Sequence, residues 1–138
     1  EELVSGASTS YDAYTRGDSL FTLSATPNQQ KKKTIAQAEA GLWRLLDELK
    51  AKPPTTEELE RIRAQVIAGV VYQRDSITSQ ATAIGSLETV GLSWKLMDTE
   101  LADLQSVTPE DIQKAARTYF TRERLSVAHV LPEETAHE

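Results

Sequence analysis

The chain has 138 residues, of which 39% are hydrophobic and 26% are charged, a composition typical of one soluble domain or a large part of one. It carries 15 Lys and Arg against 21 Asp and Glu, and the net charge of −6 argues against a nucleic-acid partner, because phosphate binding needs surplus positive charge. The sequence contains no cysteine and no apolar run long enough for a bilayer, which excludes a disulfide framework and predicts no membrane span.

The beginning of the chain predicts an antiparallel hairpin. Residues 3–11 are rich in Ser and Thr and alternate in the manner of a strand. Residues 12–18 contain turn residues, and residues 19–26 alternate again before Pro27 ends the second strand, since proline has no N–H for the ladder. A strand pattern that starts so close to Glu1 predicts that partner strands of the sheet lie upstream of this sequence.

Long helices are predicted after the hairpin. The first covers about residues 29–51, with an apolar stripe at helical spacing. The second begins at residues 55–58, Thr-Thr-Glu-Glu, where a hydroxyl can accept bonds from free N–H groups and the acids favour the positive helix end. Its apolar pattern continues to a glycine stop at Gly91, with a bend predicted at Gly69 or at residues 75–76.

Two shorter helices and a closing strand complete the predicted fold. One helix contains residues 96–104, and the other starts at residues 108–109, with Thr as cap and Pro at the first helical position. Residues 124–131 alternate as a strand. Helices grouped between strands indicate an α+β fold, an antiparallel or mixed sheet with several helices on one face. We expect one domain over residues 1–132 and a flexible tail over residues 133–138.

Five stretches carry a resemblance to a known family through their order and spacing. They are YDAYTRGDSLFTLSATP (11–27), TTEELERIRAQV (55–66), YQRDS (72–76), LETVGLSWKLMDTELADLQSVTPEDIQKAARTYF (87–120) and RLSVAHVLP (124–132). The most specific piece is TPEDIQKAARTYF followed by a short strand. Together they resemble the second half-domain of the insulinase/pitrilysin family of zinc metallopeptidases, which includes mitochondrial processing peptidase, and they are most similar to bacterial two-domain members.

The resemblance implies a clamshell of two related α+β domains in which this chain is the half without metal. In that family the first domain binds zinc through H-x-x-E-H and a distal Glu, and the Glu of the motif is the general base. This sequence has only two histidines, His129 and His137, and neither H-x-x-E-H nor H-E-x-x-H. The facing half also supplies an Arg and a Tyr in active members. Ser5 aligns with the Tyr and the Arg would fall before Glu1, so we assign no catalytic, cofactor-binding or metal residue.

The implied function is that of an inactive C-terminal domain of a bacterial zinc protease that cleaves peptides. Such a domain packs against the N-terminal zinc-binding domain, encloses the substrate chamber and holds no cofactor itself, zinc being expected in the N-terminal domain. A homologous partner subunit and a peptide substrate are the other partners implied, and the periplasm is favoured over the cytoplasm. Two alternatives stay open: a structural or assembly subunit of the same fold without a peptidase parent, and a purely helical interaction module.

Individual polar and aromatic residues have structural interpretations. His129 is predicted to be a core or edge histidine of the closing strand, since no second and third ligand lie at useful spacing. His137 lies in the predicted tail, and residues 31–33, three lysines, are predicted to be a solvated face. Trp43 and Trp94 are predicted to pack in the core, with a contact to a neighbouring domain as the alternative.

The Ser/Thr-rich hairpin is the one surface to which physical reasoning assigns a function. An extended peptide can add to an exposed strand edge by main-chain hydrogen bonding. Its serines, Ser5, Ser8 and Ser10, have no histidine adjacent in sequence, which argues against a nucleophile.

Overall fold

The computed structural model describes residues 2–131 and shows an α+β arrangement, which confirms the predicted fold class. Strand β1 spans Val4–Ser10 and strand β2 spans Thr22–Pro27. The α-helices are α1 (Ile35–Ala51), α2 (Thr56–Gln73), α3 (Ile77–Thr89), α4 (Leu96–Ser106) and α5 (Pro109–Tyr119), and short 3-10 helices lie at Gln29–Lys31 and Arg122–Arg124.

The predicted hairpin is confirmed. β1 and β2 are antiparallel, with Ser8 opposite Ser24, and the register is irregular between Val4 and Gly6. Alternate side chains of β2, such as Leu23, are half-buried, because α1 packs against this strand. β1 is exposed from residue 5 onward, and its side chains there are small.

Local capping chemistry explains where three of the helices begin. Thr34, Thr55 and Thr108 precede α1, α2 and α5, and each exchanges bonds with the residue three positions later in a capping box. The starts predicted at residues 55–58 and at Thr108 are confirmed. The first helix begins later than predicted, because Thr34 caps a new helix after the 3-10 turn and Lys32 has a left-handed φ of 50°.

The second predicted helix is two helices. α2 ends at Gln73, and Ser76 caps α3 by accepting a 3.2 Å hydrogen bond from the Ser79 N–H. The bend predicted at residues 75–76 is therefore a break, whereas Gly69 lies within α2. The stop predicted at Gly91 is confirmed, since its φ is 88° and the Leu92 N–H donates to the Leu87 carbonyl at 2.9 Å.

α1 and α2 each pack against a later helix. α1 packs against α5 as well as β2, and the Gln113 side chain donates a 3.1 Å hydrogen bond to the Lys50 carbonyl at the end of α1. α2 packs against α4, where Arg63 donates to the carbonyls of Leu104 at 3.1 Å and Val107 at 2.6 Å. Arg63 therefore satisfies carbonyls at the end of α4 that the helix itself leaves unpaired.

The core is small for a chain of this length. Among residues 2–131, the buried apolar side chains are Ala38, Leu87 and Ala116. The chain exposes 11055 Å². A compact monomer of its mass, 15.3 kDa, would expose roughly 7,100 Å². The arrangement therefore leaves much more surface open than a self-contained domain of this size does.

The predicted closing strand is wrong for the residues described. Residues 125–131 form no strand there, although the backbone at Leu125 is extended (φ −93°, ψ 132°). Alternation of side chains favours an extended backbone, but a strand also needs a hydrogen-bonding neighbour, and neither β1 nor β2 pairs with this segment. The predicted tail, residues 133–138, lies outside the described residues.

Candidate functional site

The outer edge of β1, the edge turned away from β2, is the candidate functional site. β1 and β2 form a two-stranded sheet in the part of the chain described, so this edge has no strand beside it there. In an antiparallel pair, alternate residues direct their N–H and C=O groups away from the partner strand. The outer edge of β1 therefore presents main-chain donors and acceptors that an extended polypeptide could satisfy.

The side chains of this edge are small and carry no charge. The strand reads Val-Ser-Gly-Ala-Ser-Thr-Ser, and each residue from Ser5 to Ser10 is exposed. Ser5 donates a 3.4 Å hydrogen bond from its hydroxyl to the Thr26 carbonyl across the hairpin. Along Gly6–Ser10, recognition at this edge would therefore come mainly from the main chain. At the start of the strand, Val4 and Ser5 line an open groove of about 650 Å³ together with Glu2 and residues 26–30.

The loop of the hairpin ties β1 and β2 to the distant helices. The Phe21 and Phe120 rings lie 4.7 Å apart between centroids, and Tyr11 is 6.5 Å from Phe21. The guanidinium of Arg16 donates to the Thr89 carbonyl at the end of α3. These contacts hold the hairpin at a defined position, which a binding edge requires.

The structure corrects the prediction for His129. Its side chain is half-exposed, lies in the irregular C-terminal segment, and places Nε2 3.2 Å from Oε2 of Glu39 in α1. Within residues 2–131, no three His, Asp or Glu side chains come close enough together to hold a metal ion. His137 lies outside the described residues.

Trp43 lies in an open groove of about 830 Å³ along α1. The Arg122 guanidinium carbon lies 3.5 Å from the centroid of the Trp43 ring, and the Lys50 ammonium nitrogen lies 5.5 Å from it. The cation–π contact fastens the C-terminal segment to α1. No sequence signal joins these two residues, because they are far apart in the chain.

Trp94 and the lysines near α1 lie at the surface. Trp94 is exposed rather than packed in the core as predicted, and its backbone N–H donates to the Glu88 carboxylate at 2.9 Å. Lys31 and Lys32 are exposed, which confirms the predicted solvated face for these two, and Lys31 lies 3.6 Å from Glu2.

α2 and α3 keep apolar side chains open to solvent. On α2, Ile62 and Val66 are 46% and 41% exposed, whereas Arg63 on the neighbouring face is largely buried. On α3, Ile77 is 86% exposed and Ile84 is 39% exposed. We call these four residues the open faces of α2 and α3.

In residues 2–131 no helix is long and apolar enough to cross a bilayer.

Solved structures share this fold, and two of them are compared with this chain. One is described as "the inactive peptidase domain of a putative zinc protease" from Bordetella parapertussis, with a TM-score of 0.85 and 21% identity over 99% of this chain and 71% of that chain. The other, a "putative zinc protease" from Bordetella pertussis Tohama I, has a TM-score of 0.72 and 20% identity over 89% of this chain and 66% of that chain. Neither a protein-family model nor a curated protein sequence matches this chain.

These likenesses define the class of fold. This chain has the fold of a zinc-protease-like inactive peptidase domain, which confirms the predicted resemblance at the level of structure. At 20–21% identity the likeness concerns the arrangement of helices and strands, and it assigns no residue a role.

Proposed function

We propose that this chain is a non-catalytic domain of a zinc metallopeptidase that packs against a zinc-bearing domain and helps to enclose the chamber in which peptides are cleaved. One observation carries this proposal. The chain has the fold of a domain described as an inactive peptidase domain, and its sequence contains neither H-x-x-E-H nor H-E-x-x-H. Since such a motif supplies two zinc ligands and the general base, the chemistry belongs to another domain.

The surface of the chain supports a packing role. The excess of exposed area over that of a compact monomer is several times the roughly 800 Å² that each partner buries in a standard interface. The open faces of α2 and α3 supply apolar side chains that a neighbouring domain would cover. A domain that works by packing needs such a surface, whereas an independent enzyme needs a polar site of its own.

Contacts between the two ends of the chain support the proposal that residues 1–132 act as one unit. Gln113 and Arg117 of α5 both donate hydrogen bonds to the Lys50 carbonyl, at 3.1 and 2.6 Å. The ring contact between Phe21 and Phe120 joins the hairpin loop to the end of α5. These contacts fasten α5 and the residue that follows it to α1 and to the hairpin loop.

The test combines zinc analysis with a cleavage assay. We expect the purified chain to hold far less than one zinc per molecule and to leave a fluorogenic peptide intact. The adjoining coding sequence or a neighbouring gene should encode H-x-x-E-H, and co-expression with that polypeptide should yield a complex that cleaves the peptide. Stoichiometric zinc or cleavage by the chain alone would overturn the proposal. Absence of the motif from both places would favour the structural or assembly subunit.

A further inference from the structure

We infer that residues 122–131, which we call the C-terminal strap, form a pH-dependent latch on α1 that is favoured when His129 is protonated and weakened when it is neutral. The strap contacts α1 at two points. Arg122 stacks on Trp43, and His129 lies 3.2 Å from Glu39. The inference concerns the conformation of this chain and does not rest on the proposed peptidase role.

Arg122 is the fixed end of the strap. Its guanidinium carbon lies 3.5 Å from the centroid of the Trp43 ring, and it closely follows α5 in the chain. α5 is itself tied to α1, because Gln113 and Arg117 donate hydrogen bonds to the Lys50 carbonyl. Arginine keeps its charge in folded proteins, so this end of the strap does not respond to pH.

His129 is the end that can be released. The large apolar side chains of residues 125–131 bury little surface, since they are between 42% and 90% exposed: Leu125, Val127, Val130 and Leu131. Apolar burial therefore contributes little to holding this part of the strap. Its attachment to α1 depends largely on the polar contact between Nε2 of His129 and Oε2 of Glu39.

The strap has enough length to leave α1 at one end while the other end stays in place. Trp43 and Glu39 are four residues apart on α1, which corresponds to a rise of about 6 Å. Arg122 and His129 are separated by seven residues, which could span about 23 Å if fully extended. The strap therefore need not be stretched between its two contacts, and release at His129 does not require release at Arg122.

Protonation changes the contact at His129 from a neutral hydrogen bond to an ion pair. Histidine is the side chain whose charge changes between about pH 5 and 8, and glutamate carboxylates stay ionised in that range. The latch is therefore favoured at the acidic end of the range and weakened as pH rises. The two side chains are 48% and 35% exposed, so solvent screens the pair. We expect the ratio of latched to released chain to change by about two- to fivefold.

Other charged groups on the two elements do not produce this response. The charged residues of α1 and of the strap, apart from the pair itself, are Arg44, Asp47, Glu48, Lys50, Arg122, Glu123 and Arg124. Arginine, lysine and carboxylate side chains ordinarily titrate outside the range from pH 5 to 8. Arg44 and Glu48 pair with each other at 3.8 Å, and Lys50 pairs with Asp47 at 3.0 Å. His129 is thus the group of these two elements that changes charge in this range.

Energy transfer from Trp43 to an acceptor dye on the strap tests the latch. Val130→Cys supplies the attachment point, because the chain has no cysteine and Val130 is 90% exposed. Trp94→Phe leaves Trp43 as the single tryptophan, and His137→Gln leaves His129 as the single histidine. From about pH 5.5 to 8 we expect the transfer efficiency to fall, corresponding to a two- to fivefold loss in the ratio of latched to released chain.

Variants in this parent chain identify the groups responsible. His129→Lys keeps a positive charge throughout the range, so transfer should stay high, whereas His129→Gln and Glu39→Gln cannot form the ion pair and should give low transfer without the pH response. Glu48→Gln is the matched control, because Glu48 lines the same groove of α1 but pairs with Arg44. The pH response should survive this change.

Three results would overturn the inference. They are a transfer efficiency of the parent chain that does not change with pH, an equal pH response in His129→Gln, and loss of the response in Glu48→Gln. Circular dichroism at both pH values establishes that each variant is folded. The zinc and cleavage assays above do not depend on this outcome, so the latch and the proposed function can fail separately.

Discussion

At the residue scale, side chains at helix ends decide how the helices join. Arg63 is the main example, since its side chain is only 14% exposed and two of its nitrogens donate to carbonyls at the end of α4. Glu60, one turn earlier in α2, accepts a further bond from the same guanidinium. A cation at a helix C-terminus also interacts favourably with the helix dipole. Arg63 is therefore the main side-chain link between α2 and α4, and Arg74 at the end of α2 adds a 3.0 Å hydrogen bond to the Met97 carbonyl.

Replacing Arg63 tests this link. We expect Arg63→Met to lower the free energy of unfolding by about 1.5–3 kcal/mol, because hydrogen bonds from a charged donor are lost and the carbonyls of α4 are left unpaired. Urea denaturation followed by circular dichroism measures the change. The control is Arg61→Met, which removes an exposed arginine from the same helix and should change stability by less than about 0.5 kcal/mol. Equal effects of the two changes would contradict the assignment.

Gly91 is the second residue with a conformational role. Its φ of 88° lies in the left-handed region, so Gly91→Ala should destabilise the chain by about 1–2 kcal/mol. Gly85→Ala is the control, since Gly85 lies inside α3 with nothing within 4 Å of an added Cβ, and there alanine should stabilise by about 0.5–1 kcal/mol. Thermal and urea unfolding of both variants should show shifts of opposite sign.

At the element scale, the helix starts depend on charge as well as hydroxyl groups. The Thr55 backbone N–H and hydroxyl both donate to the Glu58 carboxylate, and they lower the pKa of that group below its ordinary value. Thr108 lowers the pKa of Asp111 in the same way, its hydroxyl acting more strongly than its N–H. Both carboxylates are therefore better stabilised in the folded chain than in the unfolded chain.

This arrangement predicts the pH dependence of a variant. A carboxyl with a lowered folded-state pKa contributes stability above its unfolded pKa and loses that contribution as pH falls through its folded pKa. Glu58→Gln should therefore be less stable than the wild type at pH 7, and the two should converge in acid once Glu58 is protonated. Urea unfolding between neutral and acidic pH measures the difference. Glu57→Gln is the control, because it removes the same charge outside the capping box. An unchanging gap between Glu58→Gln and the wild type would contradict the prediction.

Elements with local signals were predictable from the sequence. The hairpin, the capped starts at Thr55 and Thr108 and the stop at Gly91 depend on residues within a few positions of one another. The break between α2 and α3 was predicted only as a bend, because the apolar pattern continues through it. Residues 124–131 have the alternation of a strand, yet the described structure gives them no neighbour.

At the scale of the whole molecule, the small core predicts an unusual unfolding reaction. The slope of the unfolding free energy against urea concentration follows the surface exposed on unfolding. A chain that already exposes 11055 Å² should therefore show a smaller slope than a compact protein of 138 residues. Equilibrium urea titration measures the slope, and a value typical of a compact domain of this length would contradict the described surface.

Two substitutions compare the effect on stability of removing an exposed side chain with that of removing a buried one. Ile77→Ser removes an 86% exposed side chain and should reduce binding of a dye for apolar surfaces, while stability changes by less than about 0.5 kcal/mol. Leu87→Ala, at a side chain that is 5% exposed in the same helix, should cost about 2–5 kcal/mol. A large loss of stability from Ile77→Ser would show that α3 is more deeply packed than described.

The candidate edge illustrates how far the sequence determines this protein. The Ser/Thr-rich hairpin and the lack of zinc motifs in this sequence were evident from composition and short-range pattern, because strands, turns, caps and metal motifs are encoded by neighbouring residues. Only the tertiary structure decided that β1 pairs with β2 alone among residues 2–131, that Trp43 stacks with Arg122, and that Ile62 and Val66 are exposed while Arg63 is largely buried. These three features depend on which elements meet in space. The physical reason is that a side chain is buried, or a main-chain group paired, by residues far away in the sequence, and no local pattern contains that information.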